Sequence, residues 1–441
     1  MSSEEVVEEL FQSLFKDERN VFLTGMGGTG KTYVINQLIE LCLARGIKVT
    51  PTSTTGCSAI NILYGRTLHS ALGIGLGRES ASVLARQIIQ NKTKKAAWMR
   101  RLIIIDECSM LSNELFDKLE EVAQAIVPIY RQDRVFGGIR LLLVGDMLQL
   151  PPVTGDYIFE SQTWANLNLK TIRLTQPQRF NDERFFRLLA RVRVGLQTER
   201  DIKKLKSRYQ AYINQEHLQS DILPTTLFGK KVDVEGYNMD QLEKLDGKSY
   251  GFTGSDSVYV RNIDMLEYVN DALKTEATIL SEVPGVLSSD EIVILDDLAP
   301  RRVILKIGAQ VMLTRNLNVE EKLVNGSRGI VRDVINGHVL VEFANGVQHL
   351  VEKMPSDKVI GKRRYQRTQL PLILAWALSI HKSQSATIDR IIVDLGSGIF
   401  APGQAYVALS RVRNLEGLYL SNFQPKSLIV DEKAVAFDES V

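Results

Sequence analysis

Val21-Phe22-Leu23-Thr24 runs into Gly25-Met26-Gly27-Gly28-Thr29-Gly30-Lys31-Thr32, and the reading of this stretch decides the fold. The first four residues form a short, largely apolar run, the pattern of a strand buried on both faces. The next eight match G-x-x-x-x-G-K-[ST] in full. Glycines let such a loop wrap a phosphate chain and aim successive N–H groups at it, and the positive end of the following helix adds to the attraction. Residues 31–44 have helical spacing, and Gly46 stands at the C-terminal cap position. In this motif the lysine reaches the β- and γ-phosphates and the Thr hydroxyl ligates Mg²⁺. Gly25, Gly27, Gly28, Thr29, Gly30, Lys31 and Thr32 are therefore the candidate nucleotide-binding residues.

Working outward, Ile47 to Thr50 reads as a second strand, and Leu102 to Ile105 and Leu141 to Val144 are further apolar runs of strand length. Between the last two, Leu115, Phe116, Leu119, Val122, Ala123 and Ile126 keep a helical period behind Ser112 as N-cap. Residues 4–16 have helical spacing as well. Strands alternating with helices imply a parallel sheet covered on both faces. Such a sheet presents its ligands at the C-terminal strand ends. Asp106-Glu107 follows one strand, which suits Asp106 to hold Mg²⁺ and Glu107 to orient and deprotonate an attacking water. Gln149 follows another strand, where its amide can sense a γ-phosphate, and Pro151-Pro152 stiffens what comes next.

A second βα alternation begins near residue 175. Residues 301–369 are β-rich, with runs such as Val339-Leu340-Val341-Glu342-Phe343 and turns at Gly337 and Gly346, and read as a small inserted barrel. Residues 370–422 return to βαβ. The length of 441 residues suits roughly three domains or subdomains. Apolar residues at 44% and charged residues at 24% exclude a disordered, collagen-like or coiled-coil chain. Lys+Arg 54 against Asp+Glu 52 leaves +2, so nucleic acid would be gripped in a local groove rather than by a basic coat. Cys42, Cys57 and Cys108 form no CxxC pair and no disulfide framework. The longest apolar run, Leu370 to Ile380, is too short to span a bilayer, and the acidic N-terminus resembles neither a secretory nor a transit signal. A soluble intracellular protein is expected.

Taken in order, these motifs resemble those of the Pif-type (petite integration frequency) superfamily 1B DNA helicases. The resemblance rests on GMGGTGKT at 25–32, TPTSTTGCSAINI at 50–62, TLHSALGIGLG at 67–77 and IIIDECSMLSNELFDKLEEVAQAI at 103–126. It continues with LLLVGDMLQLPPV at 141–153, LTQPQR at 174–179, IGAQVMLTRNLN and LVNGSRGIV within 307–331, AWALSIHKSQSATID at 375–389 and GQAYVALSRVRNLEGL at 403–418. It implies an α/β fold of two RecA-like P-loop domains with a small wedge insertion and an SH3-like β-barrel insertion. The implied division is 1–77 with 99–172 as the first RecA-like domain and 78–98 as the wedge. Residues 173–300 with 370–430 would be the second RecA-like domain, and 301–369 the barrel. ATP would lie between the RecA-like domains and drive 5′→3′ movement along single-stranded DNA with strand separation, in replication, repair or recombination. Lys31, Asp106, Glu107 and Gln149 keep the roles argued above. Arg179 and Arg411 match arginines that reach the γ-phosphate from the second domain, where a guanidinium stabilises transition-state charge. Thr52, Thr54, Thr67, His69, Ser70, Pro151, His381 and Lys382 match positions lining the single-strand groove.

Two departures stand out. Ser385 replaces the glycine that usually follows HKSQ, and an adenine-reading glutamine is offered only by Gln12, at poor spacing. Residues 86–101 carry Arg86, Lys92, Lys94, Lys95, Arg100 and Arg101 without an acid, and are expected either to touch a single-strand/duplex junction with Trp98 as a base-stacking platform or to form a solvated basic helix with Trp98 packed inward. A second basic run, Lys358 to Arg367, is expected to clamp the strand or to be a solvated hairpin. The implied partners are single-stranded DNA and ss/ds junctions, with a monomer expected in isolation and no membrane. A remodelling ATPase that does not unwind duplex, and a small-molecule NTP enzyme such as a kinase, are the competing readings.

Overall fold

The computed structural model describes residues 2–441 apart from 60, 76, 132–133, 219–222, 262–279, 283–286, 297, 319, 322, 324–325, 361–362, 385 and 397–398. Ser385 and Lys362 thus lie outside the described residues. The chain divides into two compact units, Met1–Asn238 with Trp376–Val441, and Met239–Ala375.

The first unit is built on two parallel sheets. Strands β1 (Val21–Gly25), β2 (Val49–Ser53), β3 (Arg66–Thr67), β4 (Leu102–Asp106), β5 (Arg140–Gly145) and β6 (Lys170–Leu174) lie in the order β3-β2-β4-β5-β1-β6. Every neighbouring pair is parallel. Alternation along the strands explains how both faces are covered. Leu102 and Ile104, Leu142 and Val144, and Val21 and Leu23 share one core with Val34, Ile35, Leu38 and Ile39 of helix Lys31–Ala44. Ile103 and Ile105, Leu141 and Leu143, and Phe22 point the other way, onto Phe116, Leu119, Val122 and Ile126 of helix Asn113–Ile126. That helix starts where its spacing predicts, with Ser112 Oγ accepting from Leu115 N–H at 3.3 Å. Helix Lys31–Ala44 ends at Gly46, whose φ of +69° suits a residue without Cβ.

The second sheet has the order Ala377–Ser379, Thr225–Phe228, Ile391–Leu395, Leu418–Phe423, again parallel throughout. The 78–98 segment, expected as a wedge, forms helices Ala81–Gln90 and Lys92–Trp98. Leu84, Ala85, Ile88 and Trp98 are buried in the same core as helix Asn113–Ile126. The C-terminal helix Glu432–Ser440 also packs on the first sheet's side, where the Phe437 ring stacks on Phe159 at 4.2 Å and meets Trp164 at 5.6 Å.

The second unit is antiparallel. Strands Gln348–Val351, His338–Phe343, Arg328–Ile335, Gln310–Leu313 and Leu372–Leu374 make one sheet, and Leu280–Glu282, Ser255–Arg261, Arg363–Gln369 and Met354–Ile360 another. A two-stranded pair, Arg302–Leu305 with Tyr250–Thr253, completes it. The β-rich unit is thus wider than the 301–369 expected, because strands from 250–261 pair with strands after 301. Much of its basic run is neutralised. Arg367 is buried and donates to Asp256 at 2.6 and 2.9 Å and to Asp296 at 2.5 Å, while Arg363 pairs with Glu291 and Arg364 with Asp357.

Candidate functional site

The candidate site lies at the C-terminal edge of the first sheet, where the second parallel sheet faces it. The glycine-rich loop leaves β1 with Gly28 and Gly30 at φ +84° and +91°, the left-handed region that glycine tolerates. Its glycines also make room. A Cβ at Gly27 would lie 3.4 Å from Arg411 Nη2, Gln149 Nε2 and Ser410 Oγ, and one at Gly28 would come within 2.8 Å of Arg179 Cβ. The loop is therefore met at Gly27 by the Gln149 amide and the Arg411 guanidinium, and at Gly28 by the stem of the Arg179 side chain. Gly28 O accepts from the N–H groups of Gln178 and Arg179 at 2.8 and 3.0 Å, which clasps the 174–179 segment to the loop. Arg179 belongs to the connection leaving β6 rather than to the second sheet.

Lys31 Nζ donates to Gly25 O at 2.7 Å and Met26 O at 3.1 Å, and Thr29 Oγ1 donates to Met26 O. Burial lowers the Lys31 pKa, while Asp146, Glu107 and Asp106 oppose that shift. Thr32 sits in the first turn of helix Lys31–Ala44, half-buried. Asp106 ends β4 with Oδ2 accepting from Ser58 Oγ at 2.6 Å. Burial, and then the neighbouring Glu107 carboxylate, push its pKa up to about 7. Two acids in a dry strand end are oxygen donors of the kind a hard divalent cation takes. Glu107 has a backbone of φ 53°, ψ 41°, rare for a residue with a side chain. Its Oε2 accepts from Gln384 Nε2 at 2.9 Å.

Arg411 is buried. It donates to Val407 O at 2.7 Å, Ser410 Oγ at 2.7 Å and Ser383 O at 3.3 Å, all uncharged oxygens. Arg179, half-buried, donates to Thr387 Oγ1 at 2.9 Å and Ser410 O at 2.8 Å. Burial lowers the pKa of both, Arg411 to about 10, and for Arg179 the nearby Arg411 charge adds to the lowering. Each remains a cation at neutral pH. Their hydrogen bonds go to uncharged oxygens, while Glu107, and for Arg411 also Asp146, offset the charge through space without direct pairing.

Sequence reasoning missed a network beneath this site. Asp146, fully buried, accepts from Gln149 Nε2 at 3.2 Å and Tyr406 Oη at 3.4 Å, and Gly27 N–H donates to the same Tyr406 oxygen at 2.9 Å. Arg193 bridges Asp146 at 2.7 Å to Asp438 of the C-terminal helix at 2.8 Å. Burial works against the Arg193 charge, but Asp146 and Asp438 more than offset it and hold its pKa above the usual value. The spacing of Gly-Asp after an apolar strand was the available signal for Asp146; nothing local marks Arg193 or Asp438.

The expected strand-groove residues divide. Thr52 is fully buried, and its Oγ1 donates to Ile104 O at 2.6 Å, so here it fastens β2 to β4 rather than lining a groove. Trp98 is likewise fully buried, with Nε1 donating to Leu72 O at 2.9 Å. It is a core residue, not a stacking platform, because the short helix Lys92–Trp98 turns its last residue inward. Lys94 also points in, onto the Ser70 carbonyl, and exposed Arg100 donates to the Val49 carbonyl. Thr67 caps helix Leu68–Leu72 by accepting from Ser70 N–H, and Ser70 Oγ accepts from Arg66. His69 and Pro151 are half-buried. Thr54 Oγ1 donates to Glu107 O at 2.9 Å. His381, half-buried with its pKa lowered by burial, and exposed Lys382 share the turn Ile380–Ser383 that leads to Gln384. Gln12 donates to Asp17 at 3.0 Å.

Residues 2–200 match the family described as PIF1-like helicase, and residues 292–334 match the DNA helicase Pif1 2B domain. The ATP-dependent DNA helicase PIF1 of Xenopus laevis is 36% identical over 92% of this chain, and the Homo sapiens protein of the same name 35% identical over 95%. The chain spans only 60% and 61% of the length of those two relatives. The Bdellovibrio bacteriovorus helicase Pif1 is 33% identical over 96% of this chain and 89% of its own. Among solved structures, Pif1 helicase from Candida albicans superposes with a TM-score of 0.79 at 30% identity, covering 100% of this chain and 99% of that one. Bacteroides sp Pif1 in complex with ADP-AlF4 gives a TM-score of 0.74 at 25% identity, covering 100% of this chain and 97% of that one. With collinear relatives across nearly its whole length and RecA-like parallel sheets at its core, this chain belongs to the PIF1-like helicase family.

Proposed function

We propose that this protein is an ATP-dependent motor that moves 5′→3′ along single-stranded DNA and separates duplex strands, as a monomer acting in replication, repair or recombination. The observation that carries the reading is the approach of Arg411 to the Gly27 loop from the facing lobe. In such an arrangement closing and opening of the seam follow the charge of the bound phosphates. The names of the relatives support it, as do the Bacteroides Pif1 structures bound to ADP-AlF4 and to single-stranded DNA.

In this reading the loop N–H groups of Gly27 to Gly30 hold the triphosphate, and Lys31 exchanges its carbonyl partners for phosphate oxygens. Thr32 and Asp106 would hold Mg²⁺, which when bound neutralises charge on the phosphate oxygens. Glu107 accepts the proton of the attacking water. Gln149 senses the γ-phosphate, and Arg179 and Arg411 stabilise the charge that develops as the bond breaks. Thr54, Thr67, His69, Ser70, Pro151, His381 and Lys382 grip the strand.

The test is ATP hydrolysis with and without oligonucleotides, followed by unwinding of duplexes bearing 5′ or 3′ tails. Lys31→Ala and Glu107→Gln are expected to fold normally and to lose DNA-stimulated hydrolysis. Stimulated hydrolysis without unwinding of either fork would point instead to a remodelling ATPase. Hydrolysis indifferent to DNA would refute the motor.

A further inference from the structure

Glu107 is held from both lobes at once. Its carbonyl accepts from Thr54 Oγ1 at 2.9 Å and Met110 N–H at 3.1 Å, and the preceding carbonyl, Asp106 O, accepts from Thr54 N–H at 3.1 Å. Its carboxylate accepts from Gln384 Nε2 at 2.9 Å, a contact between residues 277 apart in sequence. Its left-handed backbone is a conformation that persists only where the surroundings over-determine it. Both partners sit beside the elements assigned above to the DNA strand. Thr54 follows β2, and Gln384 directly ends the turn that carries His381 and Lys382, its N–H donating to His381 O.

Gln384 itself is buried, and its Oε1 has no hydrogen-bond partner among the described residues. A buried amide with an unused oxygen is under-satisfied, and so is poised to rotate or move when its turn moves. Ser383, one residue earlier, accepts from Arg411 Nη1 at 3.3 Å. The same turn thus touches the water-activating carboxylate and the arginine that meets the phosphate loop.

We propose that Gln384 is a positioning residue that locks the Glu107 carboxylate, and that strand binding on the His381–Lys382 turn and the Thr54 segment releases it. A carboxylate oxygen occupied by an amide N–H is a poorer proton acceptor and is aimed away from water. Releasing it supplies the base only when DNA is held. The inference rests on the motor reading above and adds the device by which hydrolysis waits for its track.

The test uses the full chain and oligo(dT). In Gln384→Met, which keeps the side chain's length and removes the donor, DNA-free kcat is expected to rise about tenfold, the size of one charge-assisted hydrogen bond. KM for ATP and DNA-saturated kcat should stay within about twofold, so the stimulation ratio collapses. By thermodynamic reciprocity, nucleotide-free Gln384→Met should also bind oligo(dT) several-fold more tightly. Gln384→Asn, which keeps the amide and shortens its reach, is expected to shift both quantities in the same direction. A folded variant whose DNA-free kcat and oligo(dT) affinity match wild type would overturn the lock, as would a parallel fall in kcat with and without DNA. A wild-type enzyme not stimulated by DNA at all would overturn the motor reading first, and the lock with it.

Discussion

Arg411 and Arg193 are both buried guanidinium groups at the same seam, yet they are treated in opposite ways. Arg193 is clamped between carboxylates, Asp146 at 2.7 Å and Asp438 at 2.8 Å, and its pKa is held up. Arg411 is bonded to neutral oxygens, and burial pulls its pKa down to about 10. Arg367 in the second unit follows the Arg193 pattern, with Asp256 and Asp296 around it. A cation whose charge is already matched is part of the framework. One whose hydrogen bonds go to neutral dipoles, with carboxylates acting only through space, keeps more of its charge for an anion that arrives later. The partners of a buried arginine thus separate Arg193 and Arg367 from Arg411 more sharply than burial does, and in the proposed motor Arg411 is the one kept for phosphate.

The largest effect that this contrast predicts is on turnover. Arg411→Ala should lower DNA-stimulated kcat by about 10³-fold or more, the range for removal of an arginine that meets a transferring phosphoryl group. The loss should appear in steady-state hydrolysis with stability reduced only modestly. If kcat falls less than about tenfold, Arg411 is framework after all. Arg193→Met should do the reverse. It strands the fully buried Asp146 without its cation and leaves Asp438 only Arg173, at a cost of about 3–5 kcal/mol in urea unfolding. Arg193→Met with wild-type stability would break the distinction from the other side.

Acid sharpens the same comparison at a smaller scale. Burial alone would raise the Asp438 pKa, but Arg193, and then Arg173, hold it below its usual value. A depressed carboxylate pKa contributes stability above the unfolded value of about 4, and that stability is lost as pH falls through the lower folded value. Asp438→Asn should therefore be less stable than wild type at neutral pH, with the gap closing below about pH 4. Because Phe437 ties the same helix to Phe159 and Trp164, the helix signal in the variant should fray first.

How much of this was legible before the structure depended on the distance between partners. The strand–loop–helix around Lys31 is contiguous, and its periodicities and glycines predict both its shape and its neighbours. Asp106-Glu107 and Gln149 were legible because strands in a parallel sheet end on one edge. Arg193 and Asp438 were not, since they are 245 residues apart and neither has a local pattern. The basic stretch 86–101 leaves two readings open in sequence for a related reason. Composition shows charge but not direction, and a seven-residue helix ending at Trp98 turns Lys94 and Trp98 inward. Thr52 shows the same limit, as a β2 residue whose hydroxyl is used within the sheet.

Lys94 provides the smallest and most exacting test, because it is a cation with dipole partners but away from the phosphate loop. Its amine donates to Ser70 O, its stem packs against Gly73, and burial, with Arg66 adding repulsion, lowers its pKa to about 8. If depressed basicity follows from dipole-only partners and burial in general, Lys94 should titrate as a strained cation although it binds no phosphate. The folded state then binds its proton less tightly than the unfolded chain does. Stability should accordingly rise between about pH 8 and pH 10, as folded Lys94 becomes neutral while the unfolded lysine stays charged, by on the order of 1 kcal/mol. Lys94→Met should abolish that rise and match or exceed wild type at pH 7, with DNA-stimulated kcat unchanged. A rise of equal size in Lys94→Met would place its origin elsewhere. A loss of turnover would move Lys94 into the functional class and show that dipole partners alone mark the ligand-binding cations.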